Sequence, residues 1–257
     1  MFKEKVYKIA LNGGMTCPNR DGHVGTGGCI FCSSQGSGDF AGSARLSIAE
    51  QIRQGKADIS SKRPVHSYIA YFQAFTNTYA PVETLRALYM EAIADPEVKI
   101  LSIATRPDCL GADVLALLDE INHIKPVWVE LGLQTIHPET SAYIRRGYEL
   151  SVFEQAVKEL RAIGITVIVH TILYLPGETK DDMLDTIHYL NHMDIQGIKL
   201  QLLHVLTHTD LAADYEKAPP FIFPDMQDYI QFLGTCIAQL NPEIVIHRLT
   251  GDGQKTF

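Results

Sequence analysis

Six short runs dominated by β-branched and other apolar residues punctuate the chain: VHSYIAYF (65–72), VKILSIAT (98–105), PVWVELGL (126–133), ITVIVHTILY (165–174), GIKLQLLHVL (197–206) and EIVIHRL (243–249). Between them lie segments whose apolar positions recur every three to four residues: VETLRALYMEAIA (82–94), ADVLALLDEIN (112–122), SVFEQAVKELRAIG (151–164), TKDDMLDTIHYLNHM (179–193) and PDMQDYIQFLGTCIAQL (224–240). Runs of the first kind predict strands, and segments of the second predict amphipathic helices. With an initial strand near Val6 to Leu11, the alternation amounts to six or seven βα units. That pattern predicts an α/β fold with a parallel sheet and helices outside it. Alternation alone leaves open whether the sheet stays flat or curls into a barrel.

Polar residues cluster at the C-terminal tips of these strands. Gln73 follows YIAYF, Thr105 and Arg106 follow LSIA, Gln134 follows ELGL, His170 lies within ITVIVH, and Gln201 and His204 lie in GIKLQLLH. Taken singly, each reads as a loop-start residue bonding backbone. Repeated along one edge, they mark the side of a parallel α/β sheet on which sites are built.

At 257 residues and 46% hydrophobic, the chain can bury a large core. Length suggests one large domain or two small ones, and no repeat, low-complexity tract or Pro/Ser-rich linker divides it. Residues 1–257 are therefore expected to form one domain, with a special loop at 12–42. Charges interrupt the N-terminal MFKEKVYKIAL, and Thr166, His170 and Thr171 interrupt the longest apolar segment. A cytoplasmic enzyme with no membrane partner is the expectation. The net charge of −8 gives no general attraction to nucleic acid. A polyanion would have to be met locally, at Lys62 and Arg63, Arg145 and Arg146, or Arg248, which otherwise read as solvated surface.

Five cysteines without a secretory signal point to metal or catalytic chemistry rather than disulfides. Cys109 and Cys236 stand alone and read as small buried side chains. The other three fall in CPNRDGHVGTGGCIFC (17–32), a glycine-rich stretch with no sizeable apolar run, whose order is expected to come from whatever its cysteines bind. The spacing Cys-x11-Cys-x2-Cys supplies three thiolates. A structural zinc site wants four ligands and would have to recruit His23 or a distant residue. An electron-transfer iron–sulfur protein also offers four cysteines. Three cysteines on a [4Fe–4S] cluster leave one iron open, and catalysis requires an open position.

Cys29-Ile30-Phe31-Cys32, just after the first strand of a βα array, resembles the signature of the radical S-adenosylmethionine (SAM) superfamily. The commonest form of that signature spaces its first two cysteines more closely than the eleven residues found here. One branch is nearer, the YhcC/YtqA-type proteins related to enzymes of the MiaB and oxygen-independent coproporphyrinogen-oxidase type. Its loop is similar to LNGGMTCPNRDGHVGTGGCIFC (11–32), and further similarity runs through TRPD (105–108), VELGLQT (129–135), RRGY (145–148), LPGET (175–179) and HRLTGDG (247–253).

The resemblance implies a partial (βα)6 TIM-like barrel in which Cys17, Cys29 and Cys32 hold a [4Fe–4S] cluster and SAM takes the open iron. It implies Phe31 beside the adenine, Thr105 and Arg106 toward the polar groups of SAM, and Gln134 and Arg146 on ribose and carboxylate. Gln201 and Leu203 would complete the adenine edge, and His170 stands where relatives often carry an acid. The Gly-Gly-Glu that commonly meets the SAM ammonium is replaced by YFQAFTNTY (71–79), which leaves Gln73 and Asn77 to offer carbonyl oxygens. LPGET reads as a turn with Thr179 capping the next helix. A low-potential reductant such as flavodoxin or ferredoxin is implied as electron donor, and a C-terminal tail beyond Phe257 is usual in the branch. The implied substrate is tRNA, at the wobble-uridine step from carboxymethylaminomethyl to aminomethyl. Alternatives are a radical SAM enzyme on a small metabolite or protein, or a non-catalytic zinc- or cluster-binding module.

Overall fold

The computed structural model describes residues 4–61, 65–217 and 223–251. Lys62, Arg63 and the end of the HRLTGDG stretch lie outside the described residues. Seven strands form one sheet: β1 (Tyr7–Leu11), β2 (Tyr68–Phe72), β3 (Val98–Thr105), β4 (Val127–Gln134), β5 (Thr166–Leu173), β6 (Gly197–Leu202) and β7 (Val245–Arg248). Every neighbouring pair is parallel and the spatial order follows the chain. The helices that carry the chain back are α1 (Ile48–Ser60), α2 (Val82–Ala94), α3 (Ala112–Asn122), α4 (Pro138–Tyr143), α5 (Leu150–Ala162), α6 (Lys180–Asn191), α7 (Asp210–Lys217) and α8 (Met226–Gln239). Successive right-handed crossovers produce this arrangement, with the helices on the outer face.

The sheet is curled, as two contacts across it prove. On a flat sheet the axes of β1 and β4 would lie about 14 Å apart, and those of β2 and β6 about 19 Å apart. Yet Lys8 Nζ of β1 lies 2.6 Å from Glu130 Oε1 of β4, and Lys199 Nζ of β6 lies 3.2 Å from the Tyr71 hydroxyl of β2. Only a concave inner face brings these side chains together. Strand alternation sorts the two faces. Leu101, Ile103, Val129, Leu131, Val167 and Val169 point outward into a core shared with Leu85, Tyr89, Leu117, Phe153 and Ile187 of the helices. Ser102, Glu130, His170 and Lys199 point inward and touch one another. The main apolar core therefore lies between sheet and helices, and the hollow of the half-barrel is polar.

The partial barrel is borne out, with seven strands, the upper end of the six or seven units read from the alternation. Strand β6 stops at Leu202, which leaves His204 in the loop beyond it. Helices α1, α4 and α7 were not predicted. In α1 the apolar period is thin, carried by Ile48 and Ile52, and Gly55 breaks the pattern because a side chain there would strike Ile9 of β1. A capping box of Ser47 and Glu50 starts α1, and one of Thr179 and Asp182 starts α6, so LPGET has the capping role read from it.

Candidate active site

The loop after β1 folds through its own backbone to a greater extent than its composition suggests. Arg20 N donates to Cys17 O at 2.8 Å, Val24 N to Pro18 O at 2.8 Å, and Gly28 N to Asn19 O at 2.7 Å. Asn19 is buried; its Nδ2 donates to Arg145 O at 2.6 Å and lies 3.5 Å from Cys29 Sγ. Arg20 donates to the carbonyls of Cys32 (3.1 Å) and Ser33 (2.5 Å) and stacks over Phe75. Gly28, at φ +86°, is where Arg20 passes so close that a Cβ would meet its Nε at 2.8 Å. The expectation that bound metal alone orders this loop is corrected: Asn19 and Arg20 are its internal braces.

Cys17, Cys29 and Cys32 are half-buried and line one cleft at the C-terminal edge of the sheet. Burial, then the neighbouring Cys32, pushes the Cys29 thiol up to about 11, and burial raises Cys32 as well. These thiols ionise readily only beside a strong positive charge such as a metal centre. Among the described residues no three His, Cys, Asp or Glu side chains form a cage for a single ion. Three thiols spread along a cleft wall suit a cluster, in which each sulfur meets a different metal atom. His23 is exposed and packs toward Tyr79, away from the cleft lining.

Of the residues expected to contact SAM, all but Asn77 line this same cleft: Phe31, Gln73, Thr105, Arg106, Gln134, Arg146, His170, Gln201 and Leu203. Their side chains are not equally available. The Thr105 hydroxyl is paired with Thr78 Oγ1 at 2.5 Å, and Thr78 in turn donates to Cys109 O. Arg106 makes a two-point ion pair with Asp108, at 2.9 and 2.7 Å, and donates to Arg146 O. Arg146 is buried, gives Nη1 to the carbonyls of Leu133 and Thr135, and gives Nε to Tyr148 O. TRPD and RRGY thus latch the ends of β3 and β4, with Tyr148 stacked against both guanidinium groups. Asn77 is likewise structural: its Nδ2 bonds Phe72 O and Ala104 O, and it does not line the cleft. Gln73 spends its amide nitrogen on Ser37 O at 2.7 Å, which leaves its oxygen for a cofactor ammonium.

Gln134 is different. It sits at a register shift at the end of β4, in the left-handed region at φ 71°, and its buried Oε1 has no partner. His204 Nε2, which belongs to the lining of the same cleft, is also buried and unpartnered. Unpaired buried polar atoms are costly, and two in the lining of one cleft fit a polar ligand there. Phe31, with Leu203, packs against Ile30, Ile144 and Ile172 and supplies an apolar wall suited to a base.

The cleft continues into a charged centre that strand patterning alone did not reveal. Glu130 has no exposed side-chain surface. Its Oε1 accepts from Lys8 (2.6 Å) and Ser102 (2.8 Å), and its Oε2 meets His170 (2.7 Å) and Lys199. Burial alone would raise its carboxyl; Lys199, His170 and Lys8 instead hold it well below the usual range. Burial, then Lys199, lowers His170 to about 4, so its imidazole is neutral near pH 7. The acid beside His170 comes from the neighbouring strand β4, as Glu130. The sequence carried the signal, because a charged residue inside the apolar runs PVWVELGL and GIKLQLL must find a buried partner. Cys236 is buried in the main core as expected, whereas Cys109 is half-buried, its thiol raised to about 12 by burial and Asp108.

The radical SAM superfamily profile matches residues 19–190, two thirds of the chain, including Asn19, Arg20, Cys29 and Cys32 of the cysteine loop. This chain belongs to the radical SAM superfamily. A radical SAM C-terminal domain profile matches residues 195–257, which include β6 and β7. The chain is 46% identical to YtqA of Bacillus subtilis over 252 residues, 98% of this chain and 78% of that protein. It is 37% identical to YhcC of Escherichia coli over 256 residues, 99% of this chain and 81% of that protein. Among solved structures, the archaeal Methanocaldococcus infernus Elp3 superposes with a TM-score of 0.72 at 15% identity, over 96% of this chain and 57% of that chain. Coproporphyrinogen III oxidase from Escherichia coli, a radical SAM enzyme, superposes at 0.58 and 15% identity, over 92% of this chain and 52% of that one. The chain thus spans a little over half of each of these two structures, which share its fold.

As a radical SAM enzyme the protein uses a [4Fe–4S] cluster and SAM. The cleft fits both. Its lining offers three thiols, the unpaired Gln134 Oε1 and His204 Nε2, and an apolar wall at Phe31. Among the described residues no helix is long and apolar enough to cross a membrane.

Proposed function

We propose that this radical SAM enzyme acts on the wobble uridine of a tRNA, at the step that takes the carboxymethylaminomethyl side chain to aminomethyl. In this reading Cys17, Cys29 and Cys32 would hold the cluster, and Gln73, Gln134, Arg146 and Gln201 would face the polar groups of SAM, with Phe31 and Leu203 beside its adenine. The cofactors supply a 5′-deoxyadenosyl radical that takes hydrogen from substrate, with the electron coming from a low-potential donor of the flavodoxin or ferredoxin kind. A hydrogen on the carbon next to the side-chain nitrogen is the one whose removal suits loss of a carboxymethyl group. Thr105 and Arg106 brace the wall of the cleft, and neutral His170 with Glu130 fixes its inner end.

One observation carries the reading past the protein's overall acidity. The chain is −8, yet Arg20, Arg106, Arg146, Lys199 and Arg248 line the cleft against only two acidic residues, Asp39 and Glu130. Positive charge is concentrated where an anionic substrate would enter, and a local potential of this kind steers and holds such substrates whatever the net charge. The resemblance of the loop at 11–32 to the YhcC/YtqA-type branch supplies the particular substrate.

The test is nucleoside mass spectrometry of tRNA from a strain lacking the gene. Accumulation of carboxymethylaminomethyl-uridine, reversed by the wild-type gene and not by a Cys29→Ala copy, supports the assignment. An unchanged nucleoside profile rejects it.

A further inference from the structure

The cysteine-lined cleft is joined from the side by a second one, which opens between the two edge strands β1 and β7 beside α1. Tyr71, Gln73, Lys199 and Arg248 line both, so this is where the two meet. The charges at that junction do not balance. Glu130 is saturated by four partners, two of them lysines, and His170 is neutral. One carboxylate thus serves both Lys8 and Lys199, and one positive charge is left over. Arg248 stands near enough to Lys199 and Tyr71 for its charge to be felt at both. The Tyr71 ring lies 4.6 Å from Lys8 Nζ and 4.7 Å from Lys199 Nζ, which softens the excess without cancelling it.

Lys199 is the cation best placed to receive a ligand. It is 5% exposed and uses two of its three N–H groups, one on Glu130 and one on the Tyr71 hydroxyl. Lys199 shares the Glu130 charge with the 30%-exposed Lys8, and an added anion is favourable beside a buried cation compensated only in part. A carboxylate brings negative charge to the junction and offers two acceptors, suited to an ammonium on one side and a guanidinium on the other.

We infer that the junction of the two clefts is a seat for a substrate carboxylate, held by Lys199 and Arg248 over Tyr71. The cysteines line the same cleft as Lys199 and Arg248, so a substrate anchored at this seat would hold the carbon next to its acid within that cleft. Glu130 has a positioning role here, setting Lys199 toward the junction while competing with the ligand for its charge. The carboxylate seat rests on the reading that substrate enters this cleft, and it is the same whether that substrate is a tRNA side chain or a smaller molecule.

Isothermal titration of the cluster-reconstituted, SAM-loaded protein under anaerobic conditions tests this with sarcosine, its neutral amide and inorganic phosphate as probes. Saturable sarcosine binding is expected, with the amide at least tenfold weaker and phosphate weaker than the acid. Lys199→Met should weaken sarcosine at least tenfold and Arg248→Gln severalfold. Glu130→Gln, which frees a lysine charge while keeping the hydrogen-bonding shape, should tighten it. A purely structural cluster would not respond in that direction. Equal binding of acid and amide, tighter binding of phosphate, or unchanged sarcosine affinity in Arg248→Gln overturns the seat, and Arg248 lies on the half-buried end strand, so its variant folds independently of the buried ion cluster. An unchanged tRNA profile in the deletion strain with sarcosine binding intact would remove the tRNA substrate and leave the seat standing.

Discussion

Glu130 and His170, on adjacent strands β4 and β5, meet at 2.7 Å between Oε2 and Nε2 in the hollow of the half-barrel. The carboxylate is wholly buried and is also ion-paired with both Lys8 and Lys199. Removing it strands two cations at once. Glu130→Ala should therefore destabilise the fold by about 3–5 kcal/mol, the usual cost of breaking a buried ion pair from one side. Urea denaturation followed by circular dichroism measures this, and a loss under about 1 kcal/mol would show that the lysines reach water when the acid is gone.

The same pair sets a pH dependence. His170 is lowered from 6.5 to about 4 in the folded chain, chiefly by burial. Between those values the unfolded chain binds a proton that the folded chain refuses, so stability falls as pH falls, by at most about 1.4 kcal/mol per pH unit for this group. The Glu130 carboxyl, held well below 4.5, acts in the same direction at still lower pH, since its contribution is present above 4.5 and lost as it protonates. Denaturation midpoints at a series of pH values from 7 to 4 should decline, and His170→Gln should flatten the upper part of the curve.

Cys17, Cys29 and Cys32 share one cleft wall, whereas Cys236 lies in the main core and Cys109 does not line the cleft. Alanine at any of the first three should abolish retention of the ~4 irons of a reconstituted cluster, and alanine at Cys109 or Cys236 should not. Iron and sulfide analysis after anaerobic reconstitution decides this. Loss of iron in the Cys109 variant would put that thiol among the ligands.

Gln134 combines an unpartnered buried Oε1 with a left-handed backbone. Gln134→Gly suits the left-handed backbone and removes the whole side chain, its amide included. SAM affinity, measured by equilibrium dialysis on the reconstituted protein, should drop about tenfold, the equivalent of one lost hydrogen bond of about 1.4 kcal/mol, while thermal stability holds or rises. A fall in stability with unchanged SAM affinity would make Gln134 a strand-end brace like Thr105.

The alternation of apolar runs and 3.6-residue periods determined the parallel sheet, the helices α2, α3, α5, α6 and α8 and the bounds of α2 and α3, because each of these buries a face that its own residues announce. The three clustered cysteines pointed to a metal, and the resemblance carried by the loop around them implied which chemistry the cleft houses. Tertiary structure alone decided which polar residues were free. Thr105 and Arg106 are spent on partners that only folding brings near, Asn77 keeps an unpaired Oδ1 but is buried outside the cleft lining, and Gln134 is left unpaired at a register shift that no local pattern encodes. It also made the charged centre. Lys8, Glu130 and Lys199 are separated by more than a hundred and by about seventy residues along the chain, and curvature of the sheet places them on one point. Sequence fixes which residues face inward, but the closure of the half-barrel sets how near they come, and the surplus of positive charge exists only at that distance.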